Sequence, residues 1–180
     1  NSNRLTLSDG NGNVIRYEYD ALNRNTKLTD PLGRSILYTY DDNDNLTQII
    51  DRKGDPSNFA YDALDRRVGS TDPLGNTISY GYDANDNFTS LTDARGNATV
   101  YTYDAANRIV NERYPDNQQR GFSYDAAGNL RQITEPNGDQ INYGYDATNR
   151  IISRSIPGEA NETFTYDAKG QLTSATNANA

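Results

Sequence analysis

Apolar and polar residues alternate along this chain in short runs that all end in the same pair of letters. In Ser35-Ile36-Leu37-Tyr38-Thr39-Tyr40-Asp41, residues Ile36, Tyr38 and Tyr40 share one face of an extended strand; Leu37 and Thr39 take the other. Ile15-x-Tyr17-x-Tyr19, Ile78-x-Tyr80-x-Tyr82 and Ile141-x-Tyr143-x-Tyr145 repeat the pattern. Their second faces carry Arg16 and Glu18, Ser79 and Gly81, or Asn142 and Gly144, and are polar or minimal. The pattern predicts β-strands with one buried face. Tyrosine suits them, because its ring packs on a pleated surface while its hydroxyl can stay in water.

The runs recur every 21 residues. Tyr19, Tyr40, Tyr61, Tyr82, Tyr103, Tyr124, Tyr145 and Tyr166 are each followed by an aspartate: Asp20, Asp41, Asp62, Asp83, Asp104, Asp125, Asp146 and Asp167. Another ring stands two places before each tyrosine, so 16 of the 18 aromatic residues belong to one [YF]-x-Y-D motif. Only Phe88 and Tyr114 fall outside it. Such a period is the mark of a repeat architecture, in which a small unit stacks on copies of itself.

Each aspartate opens D-x-x-[N/D/G], with Asn23, Asp44, Asp65, Asp86, Asn107, Gly128, Asn149 and Gly170 at the fourth place. All tolerate positive φ, which predicts a type I turn followed by a left-handed residue. A second turn lies half a repeat away, as in Asp30-Pro31-Leu32-Gly33 or Asp72-Pro73-Leu74-Gly75. It degrades in the later copies Tyr114-Pro115-Asp116-Asn117, Glu135-Pro136-Asn137-Gly138 and Ile156-Pro157-Gly158-Glu159. Between the turns lies a weaker strand, such as Asn129-Leu130-Arg131-Gln132-Ile133, whose apolar residues are three apart. A regular strand would put those on opposite faces, so either a bulge or a sheet covered on both sides is expected.

The expectation is therefore an all-β fold without helices. Tandem 21-residue antiparallel β-hairpin repeats would form a curved, spiralling sheet, since so many short strands cannot lie flat. Residues 1–180 read as a single array of eight repeats, in clear register from about 9 to 173. A start at Asn1 without methionine suggests an excerpt of a longer chain.

Composition narrows the chemistry. Apolar residues make up 34% of the chain and the mean hydropathy is −0.92, so burial must come from ordered ladders between repeats. The net charge of −8, with scattered Lys and Arg, argues against nucleic acid as a partner. No run approaches the ~18 apolar residues of a membrane span. With no His and no Cys, a Ser-His-Asp triad, a thiol nucleophile and a typical zinc site are excluded. Asp41-Asp42-Asn43-Asp44-Asn45 imitates the start of an EF-hand loop but lacks its later glycine and glutamate. Carboxylates spread one to a turn do not suggest glycoside hydrolysis. Four N-x-T sequons, at Asn45, Asn87, Asn97 and Asn161, are expected from an Asn- and Thr-rich composition. The reading is a non-enzyme with no catalytic, metal or cofactor-binding residues; the eight tyrosines and eight aspartates are structural repeat positions.

With tyrosine, aspartate, turn glycine and the 21-residue step together, the chain resembles the rearrangement-hotspot (RHS)/YD-repeat family. Gly33-Arg34-Ser35-Ile36-Leu37-Tyr38-Thr39-Tyr40-Asp41 and Tyr124-Asp125-Ala126-Ala127-Gly128-Asn129-Leu130 match its pattern closely. The resemblance implies a β-shell like those of insecticidal toxin complexes, bacterial polymorphic toxins and the teneurin ectodomain. It implies a bacterial, secreted or cell-surface protein that encloses or presents a C-terminal effector, with flanking repeats of the same chain as further partners. The alternative it implies is a surface-binding module for carbohydrate or a partner protein. For the toxins of the family the resemblance also implies self-cleavage near a D-P-x-G motif at the end of the shell. Here Asp30-Pro31-Leu32-Gly33 and Asp72-Pro73-Leu74-Gly75 fall in phase with ordinary turns and read as turns.

Overall fold

The computed structural model describes residues 3–177. It contains 17 strands and, among the described residues, no helix. By its internal contacts the chain divides into two compact units, Asn1–Gly81 with Leu91–Asn97 and Tyr82–Ser90 with Ala98–Ala180.

The first unit holds β1 (Thr6–Ser8), β2 (Val14–Tyr19), β3 (Asn25–Thr29), β4 (Ser35–Tyr40), β5 (Leu46–Ile50), β6 (Pro56–Tyr61) and β7 (Arg67–Thr71). Strands β8 (Thr77–Tyr82) and β9 (Phe88–Thr92) give residues to both units. The second unit continues with β10 (Ala98–Tyr103), β11 (Ile109–Arg113), β12 (Gln119–Tyr124), β13 (Leu130–Thr134), β14 (Gln140–Tyr145), β15 (Ile151–Ser155), β16 (Glu162–Tyr166) and β17 (Leu172–Asn177). In each unit every strand pairs antiparallel with the next in the chain, giving an open meander. This is the helix-free hairpin array that the alternation predicts.

The weak strands settle in favour of the bulge. In the hairpin β4–β5, Thr39 pairs with Gln48 but Tyr40 pairs with Leu46, so Thr47 is extra. In β12–β13 the extra residue is Arg131, and in β2–β3 it is Thr26. One added residue restores the phase of everything beyond it. Apolar side chains three apart thereby reach one face: Leu46 opposite Tyr40 and Ile49 opposite Tyr38, Leu130 opposite Tyr124 and Ile133 opposite Phe122. The same shift occurs in β6–β7, β10–β11, β14–β15 and β16–β17.

Burial is shallower than one fully covered face would give. No apolar side chain is fully buried among the described residues, and the tyrosines of the motif are half-buried. Among the described residues the buried one is polar: Asp30, 6% exposed. A single layer of strands covers its rings only with neighbouring rings, aliphatics and arginines, so polar bonds must supply much of the cohesion.

Candidate functional site

The eight YD turns form one recurring device. The aspartate N–H donates to the carbonyl of the fifth residue, and the fourth residue's N–H donates back to the aspartate carbonyl, as in Asp104, Arg108 and Asn107 at 2.9 and 3.0 Å. The fourth residue has positive φ in all eight copies, from 58° at Asn107 to 91° at Gly128. Each carboxylate Oδ1 accepts two backbone N–H bonds, from the third and fifth residues, at 2.8–3.1 Å. The aspartates therefore sit where the turn chemistry expects them.

The second oxygen has a partner the turn reading missed. Oδ2 accepts from the side chain of the fifth residue: Arg24, Arg66, Arg108 and Arg150, or Asn45, Asn87 and Asn129. Those side chains were legible as a column in the aligned repeats.

The tyrosine hydroxyls correct a second expectation. In the YD pairs they bond to the backbone, part-buried in the middle repeats and exposed at Tyr19 and Tyr166. Tyr40 donates to the Asn25 carbonyl at 2.9 Å, Tyr61 to Leu46 at 3.1 Å, Tyr103 to Phe88 at 2.7 Å and Tyr124 to Ile109 at 2.8 Å. Tyr19, Tyr145 and Tyr166 bond likewise to Arg4, Leu130 and Ile151. The acceptor lies 15 residues earlier each time. In the hairpins with a described bulge it immediately precedes the extra residue. Strand pairing between hairpins has already ended there: β13 and β14 pair only as far as Gln132 with Asn142. The phenol thus supplies a donor to a carbonyl that the ladder has left behind. Tyr82 occupies the equivalent position, with its ring edge-on to Phe88 at 5.6 Å. Burial raises the pKa of Tyr40, Tyr103 and Tyr145 above the ordinary phenol value, which keeps them as donors.

The second turns repeat the carboxylate device where aspartate is kept. Asp30 Oδ1 accepts from Leu32 and Arg34 N–H, and Gly33 has φ 81°. Asp72 does the same with Leu74 and Asn76. Both D-P-x-G segments are turns. Burial works against charge on Asp30, yet the Arg34 backbone and guanidinium outweigh it and hold the carboxyl below its usual value. Arg52 adds a contact at 3.2 Å. At Ile156-Pro157-Gly158-Glu159 the positive φ moves one place earlier, to Gly158, and Glu159 N–H bonds to Ile156, which is the type II form.

Departures from the apolar pattern gather in charged pairs. Arg120 takes the place of the repeated isoleucine and bonds Glu135 at 2.5 Å; Tyr114 Oη donates to Glu112 at 3.0 Å. Arg154 pairs with Glu162 at 2.7 Å. Arg67 lies 4.0 Å over the Phe59 ring. Among the described residues no group of three or more His, Cys, Asp or Glu is placed to hold a metal ion. The Asn45 and Asn87 amides of the sequons are engaged in the turn device.

Residues 56–175 match the teneurin YD-shell family, and residues 2–34 and 24–56 match the RHS repeat. No curated protein matches the chain. Among solved structures, a crystal structure of TcdB2-TccC3 is similar over 91% of this chain and 12% of that one, at 19% identity and a TM-score of 0.64. The Photorhabdus luminescens Tc holotoxin pore is similar over 96% of this chain and 12% of that one, at 15% identity and a TM-score of 0.53. The chain thus spans about an eighth of the length of these proteins. At such identities the likeness is one of fold.

Proposed function

As this chain belongs to the teneurin YD-shell family, we propose that it is a segment of shell wall whose work is mechanical: to enclose or present a C-terminal effector domain of its own protein. Its repeats are shell-like structural repeats related in fold to Tc toxin components. One observation carries the reading: the phenols join each hairpin to the one before it. Their hydroxyls are occupied in holding the wall. The eight tyrosines and eight aspartates are the fastenings of one array, and neither set performs catalysis. The protein is secreted or displayed at a bacterial surface, and flanking repeats of the same chain are its first partners.

Limited proteolysis of the full-length protein tests this. The domain that follows the repeats is expected to resist trypsin while the array is folded, and to be cut once mild denaturant opens it. Equal cleavage rates before and after opening would sink the enclosure reading. Tyrosine-dependent capture by a glycan array would favour the surface-binding alternative.

A further inference from the structure

One position in the YD turns follows a period of 42 residues. The fifth residue, counted from the aspartate, is Arg24, Asn45, Arg66, Asn87, Arg108, Asn129, Arg150 and then Gln171. Asn3 holds the equivalent place one step earlier. Guanidinium and amide alternate without a break. A second column agrees: proline takes the second place of the other turn in all four arginine repeats, at Pro31, Pro73, Pro115 and Pro157, and in one amide repeat, at Pro136.

Both classes grip their own aspartate and then reach forward to the next hairpin, in different ways. Arg24 donates to Asp44 Oδ1 at 2.6 Å and to the Asp41 carbonyl at 3.0 Å, and lies 4.8 Å over the Tyr40 ring. Arg108 and Arg150 lie 4.3 and 4.6 Å over Tyr124 and Tyr166. Their guanidinium groups face Gly128 and Gly170, where a Cβ would stand 3.5 and 3.6 Å from Nη1. The amides are too short to cover a ring. Asn3, Asn45, Asn87 and Asn129 instead donate to Asn23, Asp65, Asn107 and Asn149 Oδ1 at 3.1, 2.7, 3.0 and 2.8 Å.

Neighbouring hairpins lie two strand spacings apart, about 10 Å. Two guanidiniums in succession would bring like charge to one turn: Arg24 already bonds the Asp41 carbonyl, and an arginine in place of Asn45 would grip the carboxylate of the same Asp41. Two amides in succession would leave two neighbouring YD rings without an arginine, where the alternation leaves every second one, and would forgo a cation–π contact. We propose that the rim of YD turns is the surface on which one hairpin recognises the next, and that its fitting partner is a hairpin of the opposite class. The assembling module is then a 42-residue pair of repeats, and flanking repeats of the same chain are selected by the same rule. The rule holds whether or not the wall encloses anything.

Asn129→Arg in the full chain is the first test, read as thermal unfolding. It would run guanidiniums through three successive turns, from Arg108 to Arg150, and Tm should fall by about 2–4 °C. A role limited to capping Asp125 calls for an unchanged or higher Tm, since arginine makes the stronger bond, and that result overturns the proposal. Arg150→Asn should lower Tm in the parent chain and lower it less in the Asn129→Arg background. Strict additivity also overturns it. Should Asn129→Arg fail to fold, Asn129→Gln and Arg108→Gln decide: the first keeps the class and should leave Tm in place, the second changes it and should lower Tm by the same about 2–4 °C. Equal melting of the two sinks the rule.

Discussion

At the scale of one residue, the phenol shows why tyrosine and not phenylalanine ends the strand that leads into each YD turn. Its ring is half-covered, so the hydrophobic gain is modest, but its hydroxyl satisfies a carbonyl that no strand reaches. Tyr145→Phe removes the donor to Leu130 and leaves the ring in place. The expected loss is about 1 kcal/mol, the net worth of one hydrogen bond. Urea unfolding of the variant measures it, and a midpoint equal to the parent's would contradict the role. The sequence marked the tyrosines by phase alone. The acceptor could not be read from it, because a carbonyl's need is set by where strand pairing stops. The acidic positions were easier, since Asp before a φ-permissive Asn or Gly has few other uses.

At the scale of the element, the bulge reconciles two incompatible-looking patterns. A strand with period two faces one whose apolar residues are three apart, and the extra residue absorbs the difference. Deleting Arg131 should leave Leu130 opposite Tyr124 and Ile133 opposite Phe122 in an unbroken ladder, because those pairs flank the extra residue. The Leu130 carbonyl would then be drawn back towards the ladder. Tyr145→Phe should cost close to nothing in that background, against about 1 kcal/mol in the parent. A double-mutant cycle reports the difference; an unchanged cost would detach the phenol from the bulge. Leu130 and Ile133 signalled the irregularity in the sequence, but their spacing could not separate a bulge from a sheet covered on both faces. The Arg–Asn column is present in the sequence, but its 42-residue alternation disappears when the repeats are compared at a 21-residue step.

At the scale of the molecule, many small electrostatic contributions share one sign. The carboxyls of Asp62, Asp72, Asp93, Asp104 and Asp125 are held below their ordinary value of 3.8 first by the side-chain donors Arg66, Asn76, Asn97, Arg108 and Asn129. At Asp146 the Arg150 N–H leads, with its guanidinium second. A depressed folded-state value means stability that is present above the unfolded value and is lost as pH falls through the folded one. Melting temperature should therefore be flat above about pH 5 and decline below about pH 4, with a slope set by several carboxyls at once. Asp146→Asn should lower Tm at neutral pH and make the acid decline shallower. An equally steep decline would remove Asp146 from the set.

The two kinds of fastening point in opposite directions along the chain. Turn side chains grasp 20 residues ahead, from Arg24 to Asp44 or Asn45 to Asp65, while phenols hold 15 residues behind, from Tyr40 to Asn25. During synthesis, then, a newly emerged hairpin finds its anchorage already made, and its predecessor's outstretched arginine or asparagine receives it at once. No contact of this kind has to wait for distant sequence, so growth can proceed as a zipper closing from the N-terminus, at the pace of the ribosome.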